Sequence, residues 1–154
     1  MTMTIICFDH GDRYVGVAVT DGEGTVALRH SVLDGKQVDS LKEAIQIATG
    51  EGAEQILVGV PMSLAGEETE QTHKALAFIE QLRAALGAEV EIEGVDETLT
   101  SKEASQRIKA EMGKPEDEHA EAARLILVHY LKRKQASQSE AKPNSPPSNY
   151  REQT

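Results

Sequence analysis

Residues 3–21 read MTIICFDHGDRYVGVAVTD, and this stretch decides the fold. Two apolar runs, 3–8 and 14–19, are rich in β-branched residues and flank five polar or glycine positions. The pattern predicts a β-hairpin. The first run is apolar almost throughout, as is typical of a central strand covered on both faces. It ends at Asp9, so we expect a buried strand to bring a carboxylate to the edge of a sheet.

The segments after the hairpin alternate between strand and helix patterns, which predicts an α/β fold. They are a strand at 25–32, a helix opened by the capping-box sequence at Ser40, a strand at 55–60, a long helix closed by Gly87, a half-exposed strand at 89–95, a helix at 100–112 and a last helix at 116–134. The first three strands form an antiparallel meander. A right-handed crossover places the fourth strand parallel to the first and beside it.

Composition predicts one domain over residues 1–134, followed by a disordered polar tail at 135–154 that has almost nothing to bury. The net charge of −10 argues against a generally basic nucleic-acid surface, although a nuclease that holds metal cations needs carboxylates. No apolar run is long enough to span a bilayer, and no signal peptide precedes the first strand. The single cysteine, Cys7, is expected in the core, and the chain is expected in the cytoplasm.

Three segments leave the carboxyl ends of predicted strands. They are Asp9, the glycine-bounded loop at 59–66, and the pair Asp96 and Glu97. Ligands of open α/β sheets bind where such strand ends diverge. We therefore expect these three segments to meet at one site.

Four stretches of this chain resemble, in order, the motifs of the YqgF/RuvX family. They read FDHGDRYVGVAVTD, ILVGVPMSLAG, DETLTSKEA and AARLILVHYL, and the resemblance covers residues 3–132. Members are described as Holliday-junction-resolvase-like proteins and as nucleases that mature pre-16S rRNA. The resemblance implies an RNase H-like fold with a mixed five-stranded sheet, three antiparallel strands plus two parallel ones, and helices on both faces.

The resemblance implies metal-dependent hydrolysis of phosphodiester bonds, with Asp9 and Glu97 as catalytic metal ligands. Two divalent cations can activate water, orient the scissile phosphate and stabilise the leaving oxygen. Oxygen ligands suit Mg²⁺ and Mn²⁺. Each residue also has a purely structural interpretation, as a turn-forming aspartate and as a solvated charge at a strand end.

At the third ligand position this chain departs from the family, which has an aspartate where alignment on Ala122 and Ala123 puts His119. His119 shares the buried stripe of the last helix, so we expect it to point toward the site as a catalytic metal ligand. Imidazole favours Mn²⁺ over Mg²⁺ and can also protonate a leaving group. The alternatives are a histidine bonded to nearby backbone, or Glu118 as the ligand if the helix register slips by one.

Further residues are candidates for contact with the substrate. They are Gly11, Arg13, Gly59, Pro61, Ser63, Gly66 and Thr100. The family usually carries arginine where this chain has Thr98, which weakens the expected grip on substrate. The run Lys132-Arg133-Lys134 is interpreted as a solvated helix end that complements the helix dipole, with nucleic-acid contact as the alternative.

The expected partner is RNA, DNA or both, and the protein is expected to be a monomer or a homodimer. Two rival functions stay open. A nucleic-acid-binding or ribosome-assembly module could have kept the fold while its catalytic site drifted, as the departures at His119 and Thr98 and the acidic composition suggest. A phosphotransferase of the sugar-kinase type would need a second such domain to clamp a nucleotide, and this chain supplies one.

Overall fold

The structure, a computed structural model, describes residues 3–62, 66–96 and 115–141. The predicted helix at 100–112, the site candidates Glu97, Ser63 and Thr100, and Thr98 lie outside the described residues. So does the last part of the predicted tail, from residue 142 onward.

Five strands form one mixed sheet in the order β3-β2-β1-β4-β5. They are β1 (Ile5–His10), β2 (Tyr14–Thr20), β3 (Ala27–Asp34), β4 (Gln55–Val60) and β5 (Glu91–Asp96). The strands β1, β2 and β3 are antiparallel, whereas β4 runs parallel to β1 and β5 parallel to β4. The predicted meander with two added parallel strands is confirmed. The register sets Asp9 on β1 opposite Gly16 of β2 on one side and Gly59 of β4 on the other.

Among the described residues, three α-helices cover the sheet: α1 (Ser40–Glu51), α2 (Glu70–Leu86) and α3 (Pro115–Ala141). The expectation that the Ser40 capping box opens α1 is corrected by one residue. Asp39 is the N-cap, and its carboxylate accepts a hydrogen bond from the backbone amide of Lys42. The helix ends at Gly52, whose φ of 66° suits glycine.

The last helix is longer than predicted, because it ends at Ala141 rather than near Lys134. Residues 135–141 read QASQSEA, with neither proline nor glycine, and alanine, glutamine and glutamate are good helix formers. A polar composition removes the reason to bury such a segment but leaves its helix propensity intact. The expected start of the polar tail therefore does not coincide with the end of the helix.

The core lies in two layers, one on each face of the sheet. Ile6 and Phe8 of β1 face α1 and α2, whereas Ile5 and Cys7 face α3. All four side chains are almost fully buried, which confirms both the central position of β1 and the core location of Cys7. Within the described ranges, no helix is long and apolar enough to cross a membrane.

Candidate nuclease site

Asp9 and His119 meet at the carboxyl end of β1. Asp9 is the second-last residue of β1, the central strand, and is only 7% exposed. His119 lies near the start of α3, and its Nδ1 atom is 3.0 Å from Oδ2 of Asp9. The strand β1 and the helix α3 therefore meet at the carboxyl ends of the strands, where ligands of open α/β sheets bind. The expectation that His119 faces the sheet is confirmed.

Two glycines make room for His119. A Cβ atom on Gly16 would lie 2.0 Å from the carbonyl oxygen of His119, so the helix backbone rests directly on β2. A Cβ atom on Gly11 would lie 2.6 Å from Cε1 of the imidazole. Any larger residue at either position would push α3 or its histidine away from Asp9. Gly11, a candidate for contact with the substrate, therefore lies directly against the imidazole of His119.

The pKa values of the two histidines nearest this site shift in opposite directions. The hydrogen bond to Asp9 raises the pKa of His119, with a smaller contribution from the Asp9 and Glu118 charges, while burial opposes the shift. Burial lowers the pKa of His10, although Asp9 and Asp12 partly offset it. His119 therefore keeps its proton to a higher pH than an ordinary histidine, and His10 loses its proton at a lower pH.

The hairpin turn is bound to α2 through Asp12. Its carboxylate accepts hydrogen bonds from Nε2 of Gln71 and from Nζ of Lys74, each at 2.6 Å. These donors lower the pKa of Asp12, and the same contact raises the pKa of Lys74. The sequence holds no signal for this contact, because the partners are 62 residues apart and ordinary surface residue types.

Arg13 is engaged within the chain. Its Nε and Nη2 atoms donate to the two carboxylate oxygens of Asp34, at 2.9 and 3.0 Å, and its guanidinium lies 4.8 Å from the centre of the Tyr14 ring. The pair is partly exposed, so Arg13 remains within reach of a ligand at the hairpin turn. Asp34 keeps a depressed pKa because of the Arg13 hydrogen bonds.

The loop after β4 leaves the sheet beside Asp9. Gly59 pairs with Asp9 across β1 and β4, and the carbonyl oxygen of Pro61 accepts a hydrogen bond from the buried Thr72 hydroxyl of α2. Gly66 has a φ of 80°, which favours glycine. The structure thus brings Gly59 close to Asp9 and anchors Pro61.

Two donors of the predicted metal-binding set lie together in the described part of the chain. No group of three histidine, cysteine or carboxylate side chains there could hold a metal ion. The carboxylate of Asp9 and the imidazole of His119 fit Mn²⁺ and, less well, Mg²⁺ by chemical type. The described course of β5 ends at Asp96, directly before Glu97, and Asp96 pairs with Val60 at the same end of the sheet.

The sequence of this chain is similar to those of known proteins. The family model RuvX, described as a Holliday junction resolvase, matches residues 3–133. A protein of Orientia tsutsugamushi (strain Ikeda) named "Putative pre-16S rRNA nuclease" is 34% identical over 88% of this chain and 87% of its own length. A protein of the same name from Desulforudis audaxviator (strain MP104C) is 32% identical over 84% of this chain and 94% of its own length.

Solved structures show the same fold. Thermus thermophilus RuvC aligns with a TM-score of 0.56 and 15% identity over 87% of this chain and 97% of that chain. T. thermophilus RuvC in complex with a Holliday junction substrate gives the same TM-score, with 17% identity over 88% of this chain and 98% of that chain. Because the family model spans most of its length and relatives above 30% identity cover more than four-fifths of it, this chain belongs to the RuvX nuclease family.

Proposed function

We propose that this protein is a metal-dependent nuclease that hydrolyses phosphodiester bonds in structured or single-stranded nucleic acid. The observation that carries the proposal is the contact between Asp9 and His119 at the carboxyl end of the central strand. A buried carboxylate can bind a divalent cation, and an imidazole can bind a cation or transfer a proton, and both of these roles serve phosphodiester hydrolysis.

In this proposal Asp9, Glu97 and His119 hold one or two Mn²⁺ or Mg²⁺ ions, with Mn²⁺ favoured by the imidazole. The metal, when bound, supplies an activated water and neutralises charge on the phosphate. Glu118 is the alternate third ligand, and its charge already acts on His119. A protonated His119 that is not engaged by metal would donate its proton to the leaving oxygen, and its raised pKa extends the pH range in which it carries that proton.

The proposed substrate contacts come from the hairpin turn and from the loop after β4. Gly11 and Arg13 belong to the turn after β1, Gly59 pairs with Asp9 across β1 and β4, and Pro61 and Gly66 follow β4 in the chain. Ser63 and Thr100 complete the proposed set. Backbone amides at such positions and the Arg13 guanidinium can bind phosphate oxygens.

The names of the relatives favour pre-16S rRNA as the substrate, whereas the RuvC complex favours a branched DNA. We propose that the chain acts on one of these two in the cytoplasm. Purified protein would be incubated with labelled pre-16S rRNA fragments, a four-way DNA junction and single-stranded DNA. Each reaction would contain Mn²⁺, Mg²⁺ or a chelator.

Variants make this experiment specific to the site. Asp9→Asn should abolish cleavage, whereas Glu89→Gln, the same chemical change at an exposed position, should leave it intact. His119→Asp should shift the metal preference toward Mg²⁺ if residue 119 is a ligand, and His119→Ala should lose activity with both metals. Cleavage by Asp9→Asn at the wild-type rate would overturn the nuclease proposal.

A second candidate function, a nucleic-acid-binding module without catalysis, is favoured by the histidine at position 119, where the resemblance to the family implies an aspartate. His119 contacts Asp9, and imidazole is a poorer ligand for Mg²⁺ than a carboxylate. Metal-independent binding of pre-16S rRNA, with no cleavage under any metal condition, would support the binding module.

A further inference from the structure

The last helix has an uneven distribution of charge along its length. Four carboxylate residues occur between positions 116 and 121 of the sequence, whereas no aspartate or glutamate occurs from residue 122 to 139. The latter stretch instead carries Arg124 and the run Lys132-Arg133-Lys134. The net charge of the chain is −10, so this stretch carries a charge opposite in sign to that of the protein as a whole.

Ion pairing distinguishes this run from five other cations of the chain. Several cations elsewhere lie within 4 Å of a carboxylate; the pairs are Arg13 with Asp34, Arg29 with Glu121, Lys74 with Asp12, Arg83 with Glu80, and Arg124 with Glu121. Among the residues that the structure describes, Lys132, Arg133 and Lys134 form no ion pair.

Helical spacing explains why the run stays unneutralised. Positions three and four residues away on either side are the only ones that a helical side chain can reach on its own surface. For Lys132 these are Val128, His129, Gln135 and Ala136, none of which is acidic. Lys132 and Arg133 are also exposed to solvent, because the buried side of the helix is formed by residues such as Leu131.

The helix dipole does not account for the run either. The sequence alone suggests that these residues end the helix and complement its C-terminal dipole. In the structure α3 continues to Ala141, and its last turn contains no basic residue. The dipole effect is confined to the last turn of a helix, so it does not act on Lys132 or Arg133.

The run lies far from the catalytic pair but on the same rigid element. Thirteen residues separate His119 from Lys132 along α3, which is about 20 Å at the helical rise. Nζ of Lys134 lies 3.8 Å from the sulfur of Met3, just before β1, whereas Asp9 is near the other end of β1. One helix therefore joins both ends of the sheet.

We propose that Lys132, Arg133 and Lys134 form a remote phosphate-binding patch for a duplex arm of the substrate. Duplex nucleic acid advances about 3.4 Å per base pair, so 20 Å corresponds to about six base pairs beyond the scissile bond. The patch rests on the proposed nuclease function, because it assigns the substrate of that site a double-stranded arm. It binds phosphates without reading sequence.

A binding experiment tests the patch without depending on cleavage. Fluorescence anisotropy with a labelled 30-base-pair RNA duplex, and separately with a DNA duplex, would be measured in chelator over a range of salt. Lys132→Gln/Arg133→Gln should weaken binding about tenfold at low salt and reduce the salt-dependence slope by about two. The matched control is Lys42→Gln/Arg83→Gln, which removes two charges from α1 and α2 on the opposite face of the sheet.

Equal losses in the two double variants would show only an effect of net charge and would overturn the patch, as would no loss in either. Loss with one duplex and not the other supports the patch and identifies the preferred nucleic acid. Because the readout is binding in chelator, absence of cleavage by the wild type would overturn the nuclease proposal and leave this measurement unaffected. Urea unfolding of both double variants, expected at the wild-type midpoint, excludes misfolding as the cause.

Discussion

His119 and Asp9 are 110 residues apart in the chain, and yet Nδ1 of one lies 3.0 Å from Oδ2 of the other. The contact is possible because α3 rests its backbone on Gly16, the residue paired with Asp9 across β1 and β2. A glycine on one strand thus sets the distance between a carboxylate on the next strand and a histidine on a helix. Any change that lifts α3 from the sheet also separates the two proposed catalytic groups.

The stability of the metal-free protein should depend on pH through His119. Its pKa is raised in the folded state, so its contribution to the free energy of unfolding is complete below the ordinary value of 6.5 and is lost as the pH rises through the folded-state pKa. Urea unfolding of wild type and His119→Gln should therefore differ more in mildly acidic than in alkaline buffer.

An NMR titration of the His119 ring checks the cause of this pH dependence. The wild-type pKa should lie above 6.5 and should fall in Asp9→Asn, which removes the charge on the partner. A wild-type value at or below that of a free histidine would contradict the electrostatic role of Asp9.

Gly16→Ala should destabilise the fold by about 3 kcal/mol, because the new Cβ atom would overlap the backbone of α3. To relieve the overlap, β2 or α3 would have to shift as a whole, which would disturb the packing between them. Gly22→Ala is the matched control, since a Cβ atom there would have no neighbour within 4 Å. Urea denaturation of both variants checks the prediction. Similar unfolding midpoints would mean that α3 does not pack against β2 at this point.

Asp34→Asn should tighten nucleic-acid binding severalfold, because it removes the charge that neutralises Arg13 while an oxygen acceptor remains for the backbone amide of Lys36. Stability should change little, as is typical of exposed ion pairs. Anisotropy with a labelled RNA duplex gives the affinity. The gain should vanish in the double variant Arg13→Gln/Asp34→Asn, and a gain that persists there would exclude Arg13 as the phosphate contact.

Leu127→Ala should cost about 2–5 kcal/mol, since Leu127 is fully buried between α3 and the sheet and its truncation leaves a cavity. Leu28→Ala, at a leucine that is 47% exposed on the edge strand β3, should change the free energy of unfolding by less than about 0.5 kcal/mol. Guanidinium unfolding of the two variants measures the contrast. Equal small effects would contradict the packing of α3 on this face.

Local pattern was enough to predict the strands and most of the helices. The strand at 55–60 has the predicted bounds, and the stripe containing Ala75, Phe78, Ile79 and Leu82 is buried as expected. The expected strand at 25–32 instead spans Ala27–Asp34, and the N-cap of α1 is Asp39 rather than Ser40. Strand and helix bounds are less sharply encoded, because neighbouring residues serve almost equally well as caps and strand ends.

The extent of α3 was missed for a related reason. Composition indicates whether a segment can bury itself, and residues 135–141 cannot, but a helix can extend into solvent when it is already nucleated by packed turns. The helix reaches Ala141 from a packed portion that includes Ile126 and Leu127. Because the helix extends to Ala141, Lys132 and Arg133 do not lie at its end, and the helix dipole does not explain their presence.

The sequence by itself determined the order of the described strands and helices, the burial of β1 and the family, because each of these depends on residues close together in the chain or on motifs in order. It also proposed Asp9 and His119 as residues of one site. The tertiary structure decided which groups bind one another: Asp12 with Lys74 and Gln71, Arg13 with Asp34, and Gly16 with the backbone of α3. These contacts join residues tens of positions apart whose types are unremarkable, so their pairing follows only from the packing of whole elements on the sheet.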